Sequence, residues 1–182
     1  MSHRFQGAAL VAAVLFIAAT PLVPPTTRDG SKDFNFLMGR WHAHTRILKK
    51  LFVHSHDWED CTGIENAQAF SNGGGDFEVG PITCGKTTLT GMTVRLYDPS
   101  THQWSLYWAT ATRGLSGPPQ VGHFYSNGVG IFDTYYSYRG IPTIARYRWR
   151  LLSGDRPYFE QLYSKDNGKT WELNWTSIYT KI

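Results

Sequence analysis

From Asp33 onward, apolar and polar side chains exchange places at almost every step, the period of two that puts alternate residues on opposite faces of a β-strand. The pattern recurs in WHAHTRIL, HSHDWEDCTG, TVRLYD, WSLYWATA, VGHFYS, GIFDTYYSY, TIARYRWRLL, YFEQLYS and TWELNWTSIY, with Gly, Pro, Asn or Asp between most of them. Nine short strands at hairpin-length spacing predict a meandering antiparallel sheet, and closure into a barrel would remove its edges. An open β-sandwich is compatible with the same spacing. Only the stretch from Phe34 to Met38 reads as a helical turn. The expectation is an all-β, antiparallel, up-and-down barrel of about eight to ten strands with a short N-terminal helical turn.

One turn carries a motif. SKDNGKTW, Ser164 to Trp171, fits Ser-x-Asp-x-Gly-x-Thr-Trp and resembles the Asp-box of sialidase-type propellers. Asp166 can accept hydrogen bonds from nearby backbone N–H groups, Gly168 can supply a positive φ, and Trp171 can pack beneath the turn. A propeller repeats a blade of about 40 residues at least four times. YDPSTHQW, Tyr97 to Trp104, is the nearest echo, and it lacks the Gly and the Thr-Trp pair. The motif therefore reads as a hairpin staple.

The N-terminus reads differently. Met1 to Arg4 form a short basic region, Ala8 to Ala19 an apolar run of twelve residues, and Ala18 and Ala19 offer small residues for cleavage. Such a run is short of the about 20 residues a spanning helix needs. Residues 1–19 are expected to be a signal peptide, with an uncleaved anchor as the alternative, and the mature chain, lacking a transmembrane span, to be secreted or periplasmic. Residues 20–32, rich in Pro, Thr and charge, read as a disordered linker before a barrel domain over 33–182. In an oxidising compartment Cys61 and Cys84 are free to join; without export they would be two buried thiols. There is no CxxC and no finger-like His spacing to suggest zinc.

With 182 residues, 41% hydrophobic and 15% aromatic, the chain has ample material for a packed core. Eighteen basic against fourteen acidic residues give a net charge of +4, scattered rather than clustered, which argues against nucleic-acid binding. The exception is the basic run from Arg139 to Arg150.

DFNFLMGRWHAH, Asp33 to His44, resembles the N-terminal turn and Gly-x-Trp first strand of calycin-type barrels, the lipocalins and their relatives. VRLYDPSTHQWSLYW, VGHF, NGVGIF, RYRW and FEQLYSKDNGKTWELNW extend the similarity, over nearly all of residues 33–182, to lipocalin-like proteins of unknown function, many of them secreted. The resemblance implies a β-barrel with a central cavity and brings no assigned catalytic residues.

The last hairpins indicate which residues would face that cavity. If Trp149 lies opposite Phe159, then Tyr147 meets Gln161, and Arg148 meets Glu160 on the other face. With Tyr163 opposite Trp171, Gln161 would meet Leu173 and Phe159 would meet Trp175. Tyr147, Trp149, Phe159, Gln161, Tyr163, Trp171, Leu173 and Trp175 would then share the inner face, with Arg146, Arg148, Arg150, Glu160, Glu172 and Asn174 outside as a solvated face of weak salt bridges. The same parity groups Trp104, Leu106 and Trp108, and Trp41 with Ala43 and Thr45. Trp41, Trp104 and Trp171, near turns, are expected to plug the barrel. Trp108, Trp149, Phe159, Gln161 and Trp175 are the candidate ligand-binding residues, with Thr45 and Thr110 as further polar points. A barrel just filled by its own side chains is the alternative.

Catalysis has weaker support. HSHDWED, His54 to Asp60, could ligate a metal only with a third ligand from another strand. No Gly-x-Ser-x-Gly elbow occurs, and Glu160 and Glu172 are expected outside. The reading is a non-catalytic binder of a hydrophobic or aromatic small molecule, with no cofactor, metal or catalytic residue expected. The rivals are an isomerase, cyclase or hydratase of lipid-like substrates using His123 or Tyr107, and an interaction module meeting an acidic partner through the outer arginines.

Overall fold

The structure, a computed structural model, describes residues 22–182. The signal peptide expected over 1–19 lies outside them. A short 3-10 turn, Asn35–Leu37, leads into eleven strands: β1 Gly39–Leu48, β2 Trp58–Ala69, β3 Gly75–Cys84, β4 Thr87–Asp98, β5 Gln103–Thr110, β6 Gly114–Leu115, β7 Gln120–Phe124, β8 Gly130–Tyr138, β9 Ile141–Leu152, β10 Arg156–Ser164 and β11 Glu172–Lys181. Neighbours in sequence pair antiparallel, except that β7 skips β6 and pairs with β5. β1 closes on β11 and β4 on β5, so ten strands form a closed barrel, with two-residue β6 attached to the flank of β5. Closure satisfies the backbone groups that an open sheet would leave at its edges. Among the described residues no helix is long and apolar enough to cross a membrane.

One end of the barrel is filled. Phe34 and Leu37 of the N-terminal turn enter the lumen and pack with Trp41, Trp104, Phe124, Phe132 and Trp149. Phe34 meets Trp104 and Phe124 edge-on, each with ring centroids 5.0 Å apart, the geometry that aromatic quadrupoles favour. The indoles keep their polar ends satisfied: Trp41 Nε1 donates to the Leu37 carbonyl at 2.6 Å and Trp104 Nε1 to that of Gly30 at 2.9 Å. The described part of the segment expected as a linker lies against this end, with Val23 buried and its carbonyl accepting from Gln103 Nε2 at 2.8 Å.

The β9–β10 register is the expected one: Trp149 faces Phe159, Tyr147 faces Gln161 and Arg148 faces Glu160. The β10–β11 register differs. Gln161 pairs with Trp175 and Phe159 with Ser177, while Leu162 pairs with Leu173, so Asn174 is an extra residue in a β-bulge. The bulge reverses the parity of the strand before it. Trp175, Ser177 and Tyr179 face the lumen, but Leu173 joins the outer face and Trp171 lies outside under Arg146, whose guanidinium sits 4.0 Å from the ring centroid. Trp171 and Leu173 are thus not interior residues, and Trp171 does not plug the barrel. The turn itself is the staple expected: Asp166 accepts from Thr170 N at 2.9 Å and from the Ser164 hydroxyl at 2.8 Å, Gly168 has φ +83°, and Trp171 Nε1 donates to the Gly168 carbonyl at 3.1 Å.

The outer arginines are paired rather than solvated in weak bridges. Arg148 Nε donates to Glu160 at 2.5 Å and Arg146 makes a two-pronged contact with Asp133, at 2.8 Å on each prong, and both carboxylates are buried beneath the guanidinium groups. Arg150 lies over Tyr158, and Glu172 accepts from the backbone N–H of Phe52.

Cys61 and Cys84 face each other across β2 and β3 and are joined as a disulfide. They stand where the β2–β3 ladder loosens near Pro81, which has no N–H to contribute. Replacing both by Ala should lower stability by about 3 kcal/mol on the loop-entropy account. A urea midpoint unchanged by the double replacement, or by reductant, would show that the hairpin holds this end without the bridge.

Candidate functional site

On the side of the aromatic plug away from the N-terminal turn, the lumen opens into a cavity of about 260 Å³. Residues at alternate positions of the inward faces build it: Trp108 on β5, Tyr147 and Trp149 on β9, Phe159 and Gln161 on β10, and Trp175 and Ser177 on β11. All five candidate residues from the sequence, Trp108, Trp149, Phe159, Gln161 and Trp175, line this wall, as does Thr45, while Thr110 does not. The strand period places them on one face, and the barrel brings β5 round to β11, so that the Trp108 and Trp175 rings lie 6.5 Å apart, edge to face.

Local features fix these side chains. A Cβ at Gly91 would fall 2.0 Å from the Trp108 ring, so the bare glycine backbone on β4 leaves the room that the indole occupies. Trp175 Nε1 donates to Ser177 Oγ at 3.1 Å, and that hydroxyl shares a hydrogen bond of 2.8 Å with Thr45 Oγ1. Gln161 Nε2 donates to Asn174 Oδ1 at 2.7 Å, which ties the cavity wall to the bulge. Burial raises the Tyr147 and Tyr163 phenols above their ordinary range, and both stay protonated donors at neutral pH.

The opposite wall is acidic, and the sequence reading missed it. On β3 the alternation is inverted: Phe77 and Val79 take the outer face, while Asp76 and Glu78 point inward beside Gly80 and Ile82. Arg95 on β4, fully buried, answers them, Nε donating to Asp76 at 2.6 Å and one terminal nitrogen to Glu78 at 2.9 Å. The guanidinium lies 5.0 Å from the Phe34 ring centroid and 5.9 Å from that of Trp149, so aromatic faces cover what the carboxylates leave. Its remaining terminal nitrogen has no hydrogen-bond partner among the described residues. Burial acts to lower the Arg95 pKa, but Glu78 and Asp76 more than offset it. Burial raises the Asp76 carboxyl despite that pairing.

Glu65 on β2 completes the wall. It lines the cavity beside Glu78, and burial first, then the charge of Glu78, push its carboxyl up to about 8, Arg95 opposing. The residues considered for catalysis lie elsewhere. Tyr107 shares the outer face of β5, opposite Val94. His123 alternates with the inward Gly122 and Phe124, and packs against Tyr125 with ring centroids 4.6 Å apart and planes tilted by 45°. Neither reaches the cavity. His54 and His56 sit in the loop before β2, and no group of three potential metal ligands occurs among the described residues.

No protein-family model matches the chain, and no curated protein matches it either. The fold and the site define a closed, ten-stranded antiparallel barrel that encloses an aromatic cavity with one acidic wall.

Proposed function

We propose that this protein is an exported, non-catalytic, calycin-like barrel that carries a hydrophobic or aromatic small molecule in its cavity. The observation behind the reading is the cavity wall, where Trp108, Trp149, Phe159 and Trp175 surround a space edged by a few polar groups, the usual make-up of a small-molecule site. The disulfide supports export, because such bridges persist in oxidising compartments. The interaction reading is weaker: Arg146 and Arg148 already hold Asp133 and Glu160 and leave little free positive charge outside.

The test is native mass spectrometry of protein made in an oxidising compartment, followed by tryptophan-fluorescence titration with aromatic probes of differing charge. A retained molecule, or saturable quenching by some of the probes, is the expected result. Gly91→Ala, which drives a methyl group into Trp108, should weaken that binding about tenfold. A clean apo mass with no quenching and no thermal shift from any probe would make this a barrel filled for its own stability.

A further inference from the structure

Four ionisable side chains converge on the lumen from three adjacent strands: Glu65 from β2, Asp76 and Glu78 from β3, and Arg95 from β4. The single guanidinium is used by Asp76 and Glu78, which leaves Glu65 over. With only 7% of its surface exposed, Glu65 lines the cavity and makes no hydrogen bond to any described residue. Room for its carboxyl is built into the backbone. A Cβ on Gly80 would fall 2.5 Å from Glu65 Oε2 and 2.3 Å from the Ile64 carbonyl oxygen, so only glycine leaves this space free. The groups that face Glu65 from its neighbours are Glu78 on β3, Arg95 on β4 and Tyr179 on β11, while the inward residues of β1, Trp41, Ala43, Thr45 and Ile47, carry no charge. A buried carboxyl in such surroundings must take up a proton or be met by a cation, and the side from which a cation can come is the cavity.

We propose, resting on the carrier reading above, that the cavity selects an amphipathic organic amine, its ammonium group against Glu65 and Glu78 and its apolar body among Trp108, Trp149, Phe159 and Trp175. Carboxylates only accept and an ammonium only donates, so the two are complementary; of the donors at that wall, Arg95 does not line the cavity and the Tyr179 phenol faces the same two carboxyls. Aromatic faces tolerate a nearby cation. Two carboxyls turned inward reject anions of the same shape, which makes charge, rather than size, the selecting feature. The volume sets the scale: a cavity of about 150 Å³ takes benzene, so about 260 Å³ suits a body of one or two rings.

Isothermal titration at pH 7 with 2-phenylethylamine and tryptamine, the neutral 2-phenylethanol and the anionic 3-phenylpropanoate tests the proposal. The amines should bind tightest and the anion weakest. Glu65→Gln should cut amine affinity by roughly 30-fold or more, as loss of one partner of a buried charge pair does, while shifting the alcohol by less than about threefold. Titrations in buffers of different ionisation enthalpy provide a second readout on the unaltered protein: each amine bound should release close to one proton, as Glu65 changes a proton for the ammonium. If the alcohol or the anion binds as well as the amines, or if amine binding is indifferent to Glu65→Gln and releases no proton, the amine class is overturned while the carrier reading stands. If the folded protein binds none of the four, both fail.

Discussion

Arg95→Met should destabilise the barrel by about 3–5 kcal/mol, the cost of removing one partner from a buried ion pair, against a total stability of about 5–15 kcal/mol for a domain. The long apolar side chain of Met fills much of the arginine's volume between Phe34 and Trp149, so the loss is mainly electrostatic. Asp76 and Glu78, buried at 2% and 7% exposure, would keep their desolvation and lose their cation. Without it nothing opposes the burial that already raises the Asp76 carboxyl, so its folded pKa climbs further above the unfolded one. The sign follows: a raised carboxyl pKa leaves stability intact below the unfolded value and removes it as pH increases, so the defect should be small near pH 4.5 and large at pH 8. Urea unfolding at both pH values measures it. The triple change Arg95→Met, Asp76→Asn, Glu78→Gln, which removes every charge, should recover most of the loss. A single variant within about 1 kcal/mol of the parent at both pH values would mean that the triad contributes nothing net, as some buried ion pairs do.

That triad also marks where the sequence stops being readable. Over β9 and β10 the alternation of arginines with aromatics fixes the register, because a slip by one residue would put Arg146 and Arg148 into the lumen. The cavity residues on β5, β9, β10 and β11 follow from the same parity. Over β3 the rule inverts: Asp76 and Glu78 are inside and Phe77 and Val79 outside, a choice that makes physical sense only when Arg95, nineteen residues from Asp76, is already in place. Alternation reports that two faces differ, not which face is wet. With Gly75, Gly80 and Pro81 also in it, GDFEVGPITC lacks the usual marks of a strand, so the whole of β3 and the start of β4 went unexpected. The second failure, the bulge at Asn174, has a different cause. An extra residue leaves no trace in composition, yet it turns Leu173 and Trp171 outward. What was legible is one wall of the cavity; the acidic wall depends on contacts between strands that pattern alone does not contain.

The last expected result concerns pH. Glu65 keeps its proton to about 8 in the folded barrel against about 4.5 in the unfolded chain, so between those values the native state binds one proton more than the unfolded state. Stability should therefore fall as pH rises through this window, by up to about 1.4 kcal/mol per pH unit from this group alone. His123 works in the opposite sense. Burial lowers its pKa, so its contribution grows as pH rises toward its ordinary value of 6.5. Between about pH 6.5 and 8 the histidine has finished and Glu65 dominates, which makes this the interval to measure. Glu65→Gln, uncharged at every pH and nearly isosteric, should abolish the fall and exceed the parent by roughly 2–4 kcal/mol at pH 8.5. The measurement is a series of urea titrations of parent and variant at half-unit steps. Parallel curves would mean that Glu65 is already ionised in the empty barrel, and the acidic wall would then need a resident cation even without ligand. A slope present in the parent and absent from the variant would make Glu65 a carboxyl that surrenders stability as it ionises, the expected behaviour of a group placed for a ligand rather than for the fold.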